Sequence, residues 1–181
     1  MTTPRAPAPL QTKSLSVPAK PDNSESLSFQ WERFSLISRE LPPLFRRHWN
    51  EIALNKEAVP LDPDWNKYYD LDMLGLLAVL TARTRKGTLV GYYFVVLGPH
   101  LHYVSTKWGH TDMFWLDPAH RRGWTGIRMI RAMIDGMKRA EVKVLAVNLK
   151  LHFEQDRGTI ERIFRRFGFA PSDLVMVKVL E

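Results

Sequence analysis

The stretch TDMFWLDPAHRRGWTGIRMIRAMIDGMKR, residues 111–139, decides the fold. Thr111 to Leu116 reads as a strand, and a helix is predicted from about Gly123 to Arg139. Ile127, Ile130, Met133, Ile134 and Met137 recur at helical spacing. Arg128, Arg131, Asp135 and Lys138 fall on the opposite side. The turn between them, Asp117 to Gly126, combines three features. A helix N-terminus presents unpaired N–H groups and a partial positive charge. Gly123 and Gly126 let a ligand approach the backbone. Arg121 and Arg122 add forked, permanently charged donors. Six basic residues and one acid, Asp135, lie between Arg121 and Arg139, carrying +5 of the chain's formal +7. Such a turn suits a phosphate-bearing anion. An ordinary strand–helix turn with a solvated basic face is the competing reading.

Outward from this unit, Leu76–Ala82 and Thr88–Leu97 read as strands joined by a turn at Arg85-Lys86-Gly87. Gly98-Pro99 reads as another turn, followed by a strand from His100 to Thr106 and the strand from Thr111. An antiparallel meander is the simplest arrangement. Val142–Leu149 has apolar residues on both faces, which predicts a central strand parallel to its predecessor. Ile160, Ile163, Phe164 and Phe167 mark a helix closed by Gly168, and Leu174–Leu180 reads as the last strand. On the N-terminal side, Trp31, Phe34, Ile37 and Leu41 suggest a helix broken by Pro42-Pro43. Phe45, His48, Trp49, Ile52 and Ala53 suggest a second, and Asp64 caps a short third. The expected architecture is mixed α/β around one sheet, in a single domain over 29–181. Residues 1–28 hold five Pro, five Ser and no aromatic, which predicts a flexible tail.

Size and charge bound the function. The 181 residues suffice for one core, and 45% are apolar. No 18-residue apolar run or secretory leader is visible. With no cysteine, a thiolate nucleophile, a disulfide framework and a cysteine zinc site are excluded, and the composition fits the cytoplasm.

LDPAHRRGWTGIRMI resembles the acetyl-CoA loop of the GNAT superfamily of N-acetyltransferases. The family pattern, Arg/Gln-x-x-Gly-x-Gly/Ala after a strand ending apolar-x-Pro, is met by Arg121, Gly126, Leu116 and Pro118. Trp124 occupies the fourth position, with Gly123 just before it. RIFRRFGF is similar to the family's closing helix and its Gly-Phe signature, here Gly168-Phe169. HWNEIALNKEAVPLDPDWNKYYDLD and GTLVGYYFVVLGPHLHYVST, with the loop, resemble phage-encoded members, whose setting is the host cytoplasm.

The resemblance implies acetyl-CoA as co-substrate. Its pantetheine arm would pair with backbone at Phe114, Trp115 and Leu116. Its pyrophosphate would lie on Arg121, Arg122, Gly123, Trp124, Thr125 and Gly126. An amine would attack the thioester directly while a backbone N–H of the fourth strand holds the oxyanion. The family's acid, a tyrosine four residues before the glycine of Gly-Phe, is here Phe164. Arg157 and Gly158 stand where it has an asparagine. Dimers are common in the family.

Asp112, at a strand start, is the candidate base for the amine. His102 or Tyr103 is a candidate acid or acceptor-pocket residue, with His152 a weaker one. A packing role competes for each. His100, His102 and His110 lack a third ligand of defined spacing, so no metal site is expected. Trp31, Trp49, Trp65, Tyr68 and Tyr69 read as core or pocket lining. Three readings compete: an N-acetyltransferase, a structural or interaction protein that keeps the fold without turnover, and, weakest, a nucleic-acid binder through the basic helix faces. No membrane partner is expected.

Overall fold

A computed structural model describes residues 27–149, 154–173 and 175–180. The segment read as a tail lies outside these residues up to position 26. Leu27 is buried in the core and Ser28 already pairs in a strand, so the fold begins two residues earlier than expected.

Among the described residues one five-stranded sheet forms, in the order β1 (Ser28–Trp31), β2 (Leu77–Arg83), β3 (Leu89–His100), β4 (Tyr103–Leu116) and β5 (Val144–Ala146). β1 to β4 form the expected antiparallel meander, and β5 runs parallel to β4. The helices are α1 (Phe34–Ile37), α2 (Leu41–Ile52), α3 (Trp65–Met73), α4 (Thr125–Arg139) and α5 (Glu154–Arg166).

Two apolar layers cover the sheet. On one face Met129, Met133 and Met137 of α4 pack on Leu80, Tyr93, Val95 and Leu116. On the other, Phe34, Ile37, Leu41 and Phe45 of α1 and α2 meet Val79, Tyr92, Phe94 and Trp115. The alternation of β3 explains the division, since Tyr92 and Phe94 point one way and Tyr93 and Val95 the other. α4 buries Met129, Ile130, Met133, Gly136 and Met137. Its buried stripe is therefore centred on the methionines, with Ile127 and Ile134 at its half-buried margins.

Several sequence expectations are corrected. Trp31 lies in β1, not in a helix, because its strand completes the ladder with β2. Pro42 and Pro43 sit in the first turn of α2, where a missing N–H costs nothing, so they start that helix. Asp64 does cap α3, accepting from the Lys67 N–H, but the helix continues to Met73. Gly98 and Pro99 remain inside β3, paired with Trp108 and Lys107, and the chain reverses only at Leu101-His102. The two strands expected after them are one. Gly109 lies within the joined strand, where a side chain would press on Val95, Leu145 and Val142.

β5 has three residues, is half-buried, and among the described residues ends the strand order instead of lying at its centre. The chain enters it from α4 through Glu141 at φ 58°, which delays extended pairing until Val144. Residues 175–180, read as the end of a last strand, form none, and Val175, Met176, Val177 and Leu180 are exposed. Strand propensity yields a strand only where a ladder partner is in place. Gly168 closes α5 as expected, at φ 87°, with the Phe169 N–H donating to the Phe164 carbonyl.

Candidate active site

β4 and β5 pair only through Trp108, Gly109 and His110 against Val144, Leu145 and Ala146. Beyond His110, β4 runs on to Leu116 with no strand on that side among the described residues. Pairing between the two strands thus stops at His110, and the unpaired side of β4 beyond it is the wedge. The Asp117 N–H donates to the Val90 carbonyl at 2.8 Å, towards β3. By alternation, the backbone groups of Leu116 and Phe114 face the opening.

The wedge leads to the basic turn. The Asp117 carboxylate accepts from the Ala119 N–H at 3.0 Å and pairs with Arg47 of α2 at 2.7 Å. Burial alone would raise the Asp117 pKa, but Arg47 and the backbone N–H outweigh it and hold it low. A 3-10 turn, Pro118–His120, follows. Gly123 takes φ 60°, a left-handed geometry that favours glycine. α4 then starts at Thr125 behind Trp124, which is exposed and gives the helix no side-chain cap.

Gly126 has neither reason to be glycine. Its φ is not left-handed, and a side chain there would meet nothing within 4 Å. Glycine in a helix costs stability relative to alanine. Nothing among the described residues offsets that cost.

The Arg121 side chain, 41% exposed, reaches back to β4 and α2. Its Nε donates to the Leu116 carbonyl at 2.7 Å. Its Nη1 and Nη2 grip Glu51 of α2, the second at 2.7 Å. Glu51 also accepts from Trp115 Nε1 at 2.8 Å. The Arg121 hydrogen bonds hold the Glu51 carboxyl below the usual glutamate range, against burial. Arg122 is exposed.

Asp112 is the extra residue of a β-bulge. Met113 pairs with Phe94 and Thr111 with Val95, so Asp112 has no partner across the ladder. The bulge turns its side chain to the α3 face, where Tyr68 donates to Oδ2 at 2.7 Å. Burial, then the adjacent carboxylate, pushes the Tyr68 phenol well above its ordinary range. Both residues border an open cavity of about 260 Å3, walled by Pro63, Lys67, Leu71 and Val96.

His102 and Tyr103 do not join Asp112. They lie at the β3–β4 reversal, and Tyr103 is nine residues from Asp112 along β4, about 30 Å of extended strand. There His100, Tyr103, Trp108 and His110 form a ladder of rings along the hairpin. His152 lies outside the described residues. No three potential metal ligands cluster among the described residues. Phe164 is buried, edge-on to Phe114 and Phe169.

Glu51, Arg47 and Tyr68's link to Asp112 were missed in the sequence. Glu51 stands 70 positions from Arg121, and no local spacing connects them.

No family model matches the sequence, and no curated protein does. Solved structures do match. A ribosomal-protein-alanine N-acetyltransferase from Brucella melitensis biovar Abortus 2308 superposes with TM-score 0.60 at 18% identity, over 86% of this chain and 99% of that one. An aminoglycoside acetyltransferase, HMB0005, from an uncultured soil metagenomic sample gives 0.64 at 15% identity, over 86% and 99%. A Clostridium acetobutylicum protein described as a predicted acetyltransferase, solved with acetyl-CoA, gives 0.55 at 12% identity, over 85% and 96%. The chain has the GNAT acyltransferase fold. Identity this low carries the architecture alone.

Proposed function

We propose that the protein is an N-acetyltransferase that moves the acetyl group of acetyl-CoA to an amine. The observation that carries this reading is the alignment of the wedge with the uncapped start of α4, where Gly126 leaves the backbone bare. The pantetheine arm would enter the wedge and pair with the backbone of Phe114 and Leu116. The pyrophosphate would rest on N–H groups from Gly123 to Gly126, aided by the helix dipole and Arg122.

The acceptor amine would bind on the α3 side of β4, in the cavity beside Asp112. There Asp112 takes its proton while Tyr68 holds the carboxylate in place. The free amine attacks the thioester carbonyl, and a β4 backbone N–H steadies the oxyanion. The C–S bond then breaks, and the proton that the nitrogen sheds on becoming an amide passes through water to the departing thiolate, since Phe164 has none to give. Placing both reactants in line supplies much of the acceleration. The resemblance to phage-encoded members supports the host cytoplasm as the setting, and the dimers common in the family support a homodimer.

Isothermal titration of the folded protein with CoA and acetyl-CoA tests the reading. Absence of binding rejects it. Isotopically labelled acetyl-CoA added to a host lysate, with and without the protein, identifies the acceptor by mass spectrometry. The buried Phe164 favours one second reading, a fold that binds acetyl-CoA without turnover. Binding with no transfer to any amine would select it.

A further inference from the structure

We infer that Glu51 is the positioning residue of the phosphate-binding turn, and that Arg121 serves as its internal strut and not as a ligand of the anion. This rests on the acetyl-CoA reading above and specifies how its cofactor site is built. Arg121 spends Nε on the Leu116 carbonyl and both terminal nitrogens on Glu51. That forked edge is what would clasp a phosphate. Glu51 in turn is anchored by Trp115 Nε1. Trp115 is buried in the core, stacked on His48 with ring centres 6.1 Å apart.

The cluster is larger than one ion pair. Arg47 lies one turn before Glu51, over the Trp115 ring and paired with Asp117. Arg47, His48 and Glu51 thus grip Trp115, Asp117 and Arg121 from one face of α2. The turn from Asp117 to Trp124 joins strand to helix through a left-handed glycine. Held at its base, it meets an anion already ordered, and binding avoids part of the ordering cost. The anion is left to the backbone N–H groups of the turn and α4 and to Arg122.

The two possible roles of Arg121 predict opposite signs. If Arg121 bound the pyrophosphate, Glu51 would compete for it, and removing the Glu51 charge would tighten binding. If Arg121 is a strut, removing that charge loosens the turn and weakens binding. Wild type, Glu51→Gln, Arg121→Gln and the double variant are titrated calorimetrically with CoA, with thermal melts in parallel.

For Glu51→Gln, the expected result is a Kd about tenfold higher with a melting temperature within a few degrees, since glutamine still accepts from Trp115. The double variant should bind no worse than the weaker single one. Arg121→Lys, which keeps the charge but loses the fork, should also weaken binding severalfold. CoA binding by Glu51→Gln that is tighter than, or equal to, wild type overturns the inference. So does undiminished binding by Arg121→Lys, which decides the matter if Glu51→Gln fails to fold. A wild type that binds no CoA overturns the acetyl-CoA reading itself, and this inference with it.

Discussion

Gly126→Ala should move stability and cofactor affinity in opposite directions. Alanine exceeds glycine in helix propensity by about 1 kcal/mol in a helix interior, and by roughly half that in a first turn. The added methyl would meet nothing within 4 Å, so no clash subtracts from the gain. A gain of ~0.5 kcal/mol raises Tm by about 1–2 °C in a chain of this size. In the complex, the same methyl would stand where the pyrophosphate approaches. Losing one charge-assisted hydrogen bond from the backbone costs about 1.5–3 kcal/mol, or roughly a 10- to 150-fold rise in Kd for CoA. Differential scanning fluorimetry and calorimetric titration measure the two quantities on one preparation. Gly136→Ala, ten residues along α4, is the control. Its methyl would overlap the Trp31 indole, so the propensity gain is outweighed by an overpacking cost of about 1–3 kcal/mol. That variant should melt lower and bind CoA as wild type does. If Gly126→Ala binds CoA within twofold of wild type, the assignment of Gly126 to the ligand surface is refuted. If it melts lower, the glycine is required by the fold and the reasoning fails at its first step.

Asp112→Asn should lower transfer by roughly 100-fold or more and leave CoA affinity unchanged, as steady-state rates and titration would show. Tyr68→Phe removes the hydrogen bond that holds Asp112; it should lower the steady-state rate less than Asp112→Asn does. The carboxyls of Glu32, Glu51, Asp72 and Asp117 are all held low in the fold by their partners, against burial. Unfolded, they protonate near pH 4. The stability they supply is therefore complete above that range and disappears as pH falls through their lower folded values. Thermal melts should be flat from pH 8 to about 5 and fall steeply below about 4.5, less steeply in Glu51→Gln.

The meander was legible because β2 and β3 carry dense runs of apolar and β-branched residues around the turn at Gly87. The strand–turn–helix unit was legible because the helical spacing and the turn chemistry agreed. What misled was punctuation read without its context. Pro42-Pro43 starts a helix as readily as it ends one. Gly98-Pro99 lies inside a strand, where the ladder shifts register next to Pro99. Residues 175–180 have strand composition, but a strand is a property of a pair. The boundaries of β5 depend on how soon α4 releases the chain, which Glu141 sets through its backbone angle.

The site was legible in its backbone part and not in its side-chain part, for a physical reason. A bare helix start is encoded by neighbours, Gly123 through Gly126, and a motif can record it. The orientation of Asp112 depends on a bulge, one residue too many between Thr111 and Met113, and a bulge exists only relative to β3. That same bulge bends β4 as it approaches the wedge, beyond its last contact with β5 at His110. One irregularity therefore aims the carboxylate at the α3 cavity, and on the proposed reading it would also shape β4 on the cofactor side. If both tasks belong to the bulge, deleting it harms both. Removing residue 112 altogether should abolish CoA binding as well as transfer, whereas Asp112→Asn should spare binding. Equal CoA affinity in the deletion variant, measured on folded protein, would separate the two tasks and leave the bulge with the carboxylate alone.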